Sequence, residues 1–509
     1  MSCGRARKRP PFLLLKRSRH WDGSYYRMTS GLDARDAVLL IGQTLDKAMT
    51  ASFYVENFGC RATQADGAAI ERQFEERGLV RAPAPTRSEI VVLNTCTVTA
   101  AADQDARAAI RRIRRENPGC QIVVTGCYAQ RASEEIASLP GVTCVVGNSH
   151  KHRLAEIVVA SSRRDDREKI TSHAGFVSLS SLKPEAPSEI FVSDIFAHTE
   201  LLAAPVFDGA GIGTSNDRTR PNLKVQDGCD NRCSFCVIPQ VRGQSRSLPL
   251  SQVVSEVNAL VSAGYREVVI SGINLGRWGR DLDKALRFED MIHAILDRTS
   301  LEKLRISSVE PMDWSDDLIG LMASSPRIAK HAHVPMQSGS DRVLRAMHRK
   351  YRPWHYREKL ERIRAAIPTA AVGADVMVGF PGEGDADFEE TRLLVEELPF
   401  TYLHVFTYSS RPGTPAALMR DQVPVQVARE RNRILRELAG RKKLSFMQSF
   451  VGKTVEAITL NVCDSQSTEA LTDNYLKLLL QGQHQPNQWM KARVELVVDS
   501  TLIATHAAA

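Results

Sequence analysis

Residues 224–243 read "KVQDGCDNRCSFCVIPQVRG", with Cys229, Cys233 and Cys236 inside eight positions. An apolar segment from Leu223 leads into the stretch. Further strand-like segments begin near Glu267, Leu304, Ala332, Val372 and Leu403. Helical patterns separate them, over 250–263, 288–298, 315–323, 341–348 with 354–366, and 387–397. This six-fold strand–helix alternation predicts a parallel α/β barrel, full or partial, whose active-site loops follow the strands. The three cysteines occupy the first such loop.

Upstream, three apolar strands each end beside a cysteine. "SFYVENFGC" leads to Cys60, "SEIVVLNTC" to Cys96 and "CQIVVTGC" to Cys127. Helical stretches over 66–77 and 103–116 lie between them, so this third of the chain reads as a parallel sheet covered on both faces. Ligands bind beyond the carboxyl ends of such strands. The three cysteines lie there, 36 and 31 residues apart, and only the fold can bring them together. Taken singly, each is as well explained as a buried structural cysteine. Their shared topological position points to a common metal site. Cys120, Cys144 and Cys463 show no such pattern.

The chain has 509 residues, 43% hydrophobic and 25% charged, and needs more than one core. Residues 1–48 carry +6 of the net +8, so the basic character is mostly that of one segment. Two readings of 1–48 stay open: a disordered basic arm, or a chain whose true start is Met49. No apolar run is long enough to cross a bilayer, no export signal is evident, and reduced cysteines in the cytoplasm are expected. The expected units are 49–160 (α/β), 161–220 (a Ser/Gly/Pro/charge-rich linker or insertion), 221–445 (the barrel) and 446–509 (short strands forming a small antiparallel β-barrel). A basic helix over 426–443 precedes the last of these.

Three thiolates in one loop suit neither a structural zinc site, which commonly uses four protein ligands in two pairs, nor a fully ligated cubane. "CVIPQ" supplies no fourth ligand. A 4Fe–4S cluster held by Cys229, Cys233 and Cys236 keeps one iron open for an exogenous ligand, and that opening is where chemistry occurs.

C-x3-C-x2-C after the first strand of an α/β barrel resembles the radical S-adenosylmethionine enzymes. The resemblance implies that the methionine part of S-adenosylmethionine chelates the open iron, and that one-electron reduction yields a 5′-deoxyadenosyl radical. Phe235 stands where that family usually has an aromatic. "VVISGINLGRWG" with Asn274, "RISSVEP" with Ser307 and Glu310, and "ADVMVGFPGE" are further strand-end stretches suited to the cofactor.

The order of the whole chain resembles the methylthiotransferase family within that class. The resemblance implies a second 4Fe–4S cluster on Cys60, Cys96 and Cys127, a TRAM-like RNA-binding barrel at the carboxyl end, and an external one-electron donor. The sulfur donor stays unidentified. "NTCTVTAAADQDARAAIRR", "HVPMQSGSDRVLRAMHR" and "TYSSRPGTPA" look most like the branch that methylthiolates N6-threonylcarbamoyladenosine at position 37, in the anticodon stem-loop of tRNA. The isopentenyladenosine branch and the ribosomal-protein aspartate branch follow. Outside the class, a non-catalytic iron–sulfur or zinc RNA-binding protein is the alternative.

Three departures stand out. Thr63 replaces a common Asn, Leu248 replaces a frequent Arg, and the chain is short of Lys and Arg after residue 454. Positive charge for RNA phosphates is offered instead by Arg111 and Arg112 in "RRIRR", by Arg242 and Arg246, and by the 428–443 helix. For that helix a merely solvated face is an equally good reading.

Overall fold

The computed structural model describes residues 51–161, 188–198, 219–464 and 466–507. Segment 1–48 and most of 161–220 lie outside the described residues. Strands β1 (Ser52–Asn57), β2 (Val80–Arg81), β3 (Ile90–Thr95), β4 (Gln121–Gly126), β5 (Val142–Gly147) and β6 (Glu189–Phe191) form one sheet in the order β2-β1-β3-β4-β5-β6. Every pairing in it is parallel. Every residue of β3 is buried, as a strand covered on both faces requires. Helix Arg61–Glu75 places Ile70 and Phe74 on one face, against Phe53 and Val92. Helix Ala100–Glu116 places Ala106, Ile110 and Ile113 on the other, against Val91 and Leu93. Thr99 caps the second helix, its hydroxyl accepting from the Ala102 N–H at 3.2 Å. The strand order reverses direction between β1 and β3, which is where such sheets bind ligands.

β6 corrects the expectation of a linker throughout 161–220. Residues 189–191 pair with β5 and belong to the first sheet. A three-residue edge strand carries too little periodicity to be read from sequence.

The barrel strands are β7 (Asn222–Asp227), β9 (Glu267–Gly272), β10 (Lys303–Ile306), β11 (His331–His333), β12 (Ala371–Val378) and β13 (Tyr402–Thr407), with short β8 (Arg246–Ser247) antiparallel to β7. β7-β9-β10 and β11-β12-β13 are two parallel arcs. The Val309 N–H donates to His333 O at 3.1 Å and joins them. Among the described residues no pairing closes β13 onto β7, so the barrel is partial. Its outer core is continuous, with Val253, Ile292, Leu318, Leu360 and Val395 from five helices packed against Val225, Ile270 and Val376 of the strands. Helix Arg61–Glu75 of the first domain lies against β7.

At the carboxyl end β14 (Thr454–Cys463), β15 (Ser467–Thr472), β16 (Lys477–Gln481), β17 (Trp489–Val498) and β18 (Thr501–His506) close into a barrel in the order β14-β15-β16-β18-β17. Four pairings are antiparallel and β16–β18 is parallel, a refinement of the all-antiparallel expectation. The turn after β15 docks on the amino ends of the central strands. Arg305 Nη1 donates to Asp473 O at 2.9 Å, Asn474 Nδ2 to Thr369 O at 3.0 Å, and Arg61 Nη2 to Tyr475 Oη at 3.0 Å. No described helix is long and apolar enough to cross a membrane.

Candidate active site

The loop after β7 is held by backbone and side-chain bonds that aim its cysteines. The Cys229 N–H donates to Gly243 O at 3.0 Å, and the Cys236 N–H to Cys233 O at 3.2 Å. Ser234 ties the loop to the segment after helix Asp341–Ala346, its N–H donating to Met347 O at 3.1 Å and its hydroxyl to Ala346 O at 2.7 Å. Two sulfurs already receive N–H donors: Asn231 N donates to Cys229 Sγ at 3.4 Å and Arg349 Nη1 to Cys233 Sγ at 3.3 Å. Burial pushes the Cys229 thiol up to about 11 and the Cys236 thiol up to about 12. Ligation must therefore displace their protons. Sulfur ligands with hydrogen-bond donors aimed at them fit a thiolate-held iron–sulfur cluster. Among the described residues, no group of Cys, His, Asp or Glu side chains closes on one point as a single metal ion requires. A mononuclear zinc cage is not preformed.

Around this loop the other expected residues take definite places. Phe235 meets Phe380 edge-on at 6.5 Å between ring centres, and Phe380 meets Tyr408 at 5.7 Å, which makes an aromatic wall. Glu310 pairs with Arg349. Burial holds the Glu310 carboxyl above its usual range, against the pull of that guanidinium. Asn274 follows β9 in a left-handed conformation, φ 55°, and its Oδ1 is a buried acceptor without a donor. Ser307 is half-buried at the end of β10, where its N–H donates to Ile270 O at 3.0 Å. Sequence reasoning missed two residues. Arg349 grips both Glu310 and Cys233, and Gln337, at φ 63°, presents a second buried orphan acceptor, Oε1. Both lie in the stretch "HVPMQSGSDRVLRAMHR", 333–349, whose likeness to the family was the available signal, although it marks no role for either side chain. Orphaned acceptors on strand-end loops fit a cofactor that brings its own donors.

The first domain brings its three cysteines together at the β1/β3 switch point. Two glycines permit it. Gly59 has φ +105°, and a Cβ there would stand 2.6 Å from Cys96 Cβ. Gly126 has φ +100°, and a Cβ there would meet Thr95 O at 2.3 Å. Cys60 is exposed, while Cys96 and Cys127 are buried. Burial first, then the neighbouring Cys127 and Cys60 sulfurs, pushes the Cys96 thiol up to about 12. Cys127 accepts from Asn148 Nδ2 at 3.6 Å and packs on Val237 and Val241, directly after the C-x3-C-x2-C loop. Cys127 thus sits where the first domain meets the segment after the C-x3-C-x2-C loop.

The departures have local explanations. Thr63 is buried with its hydroxyl 3.5 Å from Cys60 Sγ. Leu248 is a core residue whose carbonyl accepts from Trp278 Nε1 at 2.9 Å.

The basic residues expected to meet RNA need correction. Arg242 is 2% exposed. Its Nη1 binds Asp227 at 2.9 and 3.1 Å and its Nη2 binds Asp66 at 2.9 Å, so no phosphate can reach it. Arg246 is turned inward too, donating to His198 O at 3.3 Å and Gln244 O at 3.4 Å. Arg112 is engaged by both Glu56 oxygens at 2.8 Å, and Arg111 is exposed. In helix Val425–Gln448, Arg431 is buried against Glu383, and Arg433 is paired along the helix with Glu430 and Glu437.

Comparison with known proteins agrees with this geometry. Residues 52–147 match a family described as uncharacterized protein family UPF0004, and residues 223–395 match the radical SAM superfamily. The threonylcarbamoyladenosine tRNA methylthiotransferase MtaB of Bacillus subtilis is 35% identical over 85% of this chain and 90% of its own. The tRNA-2-methylthio-N(6)-dimethylallyladenosine synthase of Novosphingobium aromaticivorans is 34% identical over 81% of this chain and 87% of its own. Among solved structures, the radical S-adenosylmethionine methyltransferase TsrM of Kitasatospora setae aligns with a TM-score of 0.50 at 15% identity, covering 72% of this chain and 75% of that one, a likeness of fold alone. The chain belongs to the radical S-adenosylmethionine methylthiotransferase family. It is an enzyme that uses S-adenosylmethionine and a 4Fe–4S cluster.

Proposed function

We propose that the protein inserts a methylthio group at C2 of N6-threonylcarbamoyladenosine beside the anticodon of cytoplasmic tRNA. What supports this reading is the nearness of Cys60 and Cys127 to Cys96, with Cys127 packed on Val237 and Val241 just past the Cys229–Cys233–Cys236 loop. Radical generation alone needs one triplet, and two triplets suit a sulfur-inserting enzyme with two clusters. The relatives named for threonylcarbamoyladenosine support the choice of nucleoside.

With their groups bound, the Cys229 triplet would supply a 5′-deoxyadenosyl radical from S-adenosylmethionine, and a cluster on the Cys60 triplet would supply or carry the sulfur. The chain's own part is placement. Arg349 fixes the Cys233 sulfur and holds Glu310 beside the loop. Asn274 Oδ1 and Gln337 Oε1 offer acceptors to the donors of the bound cofactor. Phe235, Phe380 and Tyr408 keep water from one side of the loop. The ion pairs of Asp66 with Lys224 and Arg242 tie the first sheet to the partial barrel and so fix the loops of the two triplets relative to one another. The domain limits 49–160, 221–445 and 446–509 divide these tasks.

The test is mass spectrometry of tRNA nucleosides from cells with the gene, without it, and carrying Cys229→Ala. The reading expects loss of the 2-methylthio form of threonylcarbamoyladenosine, with its unthiolated parent accumulating. A change in the isopentenyl derivative instead would move the protein to the other tRNA branch. No change in any nucleoside would remove tRNA as the substrate.

A further inference from the structure

Near Cys127, and reaching Asp227 just before the Cys229 loop, lies a buried ionic cluster built by both domains. The first domain contributes Asp66 and Lys151, and the barrel contributes Lys224, Asp227 and Arg242. Lys151 Nζ donates to Asp66 at 3.1 Å and to Asn94 Oδ1 at 3.3 Å. Lys224 binds Asp66 and also Asp227, the latter at 2.9 Å. Arg242 spans both carboxylates. A cavity of about 10 Å³, room for one water, is lined by all five residues.

The charges do not balance. Three buried cations face two carboxylates, and Arg246 adds a fourth positive charge 4.0 Å from Asp227. Uncompensated buried charge is costly, and an anionic neighbour relieves it. The neighbours are sulfurs of the first triplet. Asn148 Nδ2 bonds Cys127 Sγ at 3.6 Å and Val241 O at 2.7 Å, which places Cys127 beside the residue that precedes Arg242. Cys127 and Cys60 both act electrostatically on Arg242, and Cys127 acts on Lys151. Arg242 Nε is buried with no acceptor.

We infer that Arg242 and Lys151 are positioning residues for the Cys60–Cys96–Cys127 site, where their surplus positive charge balances the thiolates while their bonds to Asp66 and Asp227 fix that site against the Cys229 loop. The inference rests on the reading of that triplet as a cluster site. A nearby positive charge favours the reduced, more negative state of any group held there, so removing it makes reduction harder.

The experiment uses the full chain carrying Cys229→Ala, Cys233→Ala and Cys236→Ala, so that only the first site can bind iron. Iron and sulfide are counted after anaerobic loading, and the midpoint potential is read by electron paramagnetic resonance. Arg242→Gln and Lys151→Gln should each shift the midpoint to more negative values, and Arg242→Lys should stay near the parent. Should Arg242→Gln fail to fold, Lys151→Gln decides, because it leaves both Asp227 links intact. A loaded parent whose potential moves with neither substitution overturns the inference alone. A parent that binds no iron overturns the cluster reading, and the inference with it.

Discussion

Arg349 touches both Cys233 Sγ and the half-buried Glu310 carboxylate, so its removal disturbs two parts of the radical site at once. Hydrogen bonds to charged groups contribute roughly 1.5–3 kcal/mol, equivalent to about tenfold to a hundredfold in rate. Arg349→Ala is expected to slow reductive formation of 5′-deoxyadenosine by about that factor, with Arg349→Lys intermediate. His331 tests the fold instead. Burial holds its imidazole well below the ordinary 6.5, while its Nε2 sits 2.7 Å from Tyr402 Oη. The unfolded chain takes up a proton at His331 as pH falls past 6.5, and the folded chain does not, so this group's stabilising contribution is present above 6.5 and lost below it. Urea midpoints at pH 7.5 and 5.5 should fall less in His331→Phe than in the parent, because the aromatic stack is kept and the proton is not. At this scale the sequence was informative where chemistry is local. Three cysteines in eight positions declare a ligand loop without any fold. Arg242 was misjudged for the opposite reason: a basic residue near a cysteine motif looks the same on paper whether it meets a phosphate or two buried aspartates.

Strand-end loops are the elements that make the first site. Their convergence depends on positive φ at Gly59 and Gly126 more than on the cysteines themselves. Gly126→Ala must either clash with Thr95 O or move the Cys127 loop, and a β-carbon at such a φ costs more than about 1 kcal/mol. The expected outcome is a lower iron count at the first triplet with the Cys229 triplet still loaded, measured by metal analysis in backgrounds that isolate each site. The alternation of β3, β4 and β5 with their helices was legible because both-face burial writes continuous Val/Ile runs. β6 was not, because three edge residues write no pattern. The basic helix was legible as a helix but not in its role, since Arg431 spends its charge on Glu383 inside the protein and Arg433 on its own neighbours.

From Ala51 onward the molecule is one compact unit, although the first sheet, the partial barrel and the carboxyl-terminal barrel each have hydrophobic cores of their own. Arg305, fully buried, is the main tie between two of them, pairing with Glu267 at 2.6 Å while donating to Thr472 and Asp473 carbonyls. Breaking a buried pair by removing one partner costs about 3–5 kcal/mol. Arg305→Met should lower the unfolding free energy from urea titration by an amount near the lower figure, since Arg220 still stands 3.5 Å from Glu267, and adding Glu267→Gln should recover part of the loss. Arg305 reads backbone carbonyls, and the side chains of Asp473, Asn474, Tyr475, Asn487 and Trp489 complete the joint, so it is confined to a few positions of the carboxyl-terminal barrel. That barrel can therefore be exchanged like a tool head. A graft with a different outer surface will seat, provided it keeps the two carbonyls, the Asp473, Asn474 and Asn487 side chains, and an aromatic where Tyr475 meets Arg61. Substrate grip can then diverge between relatives while the catalytic body stays as it is.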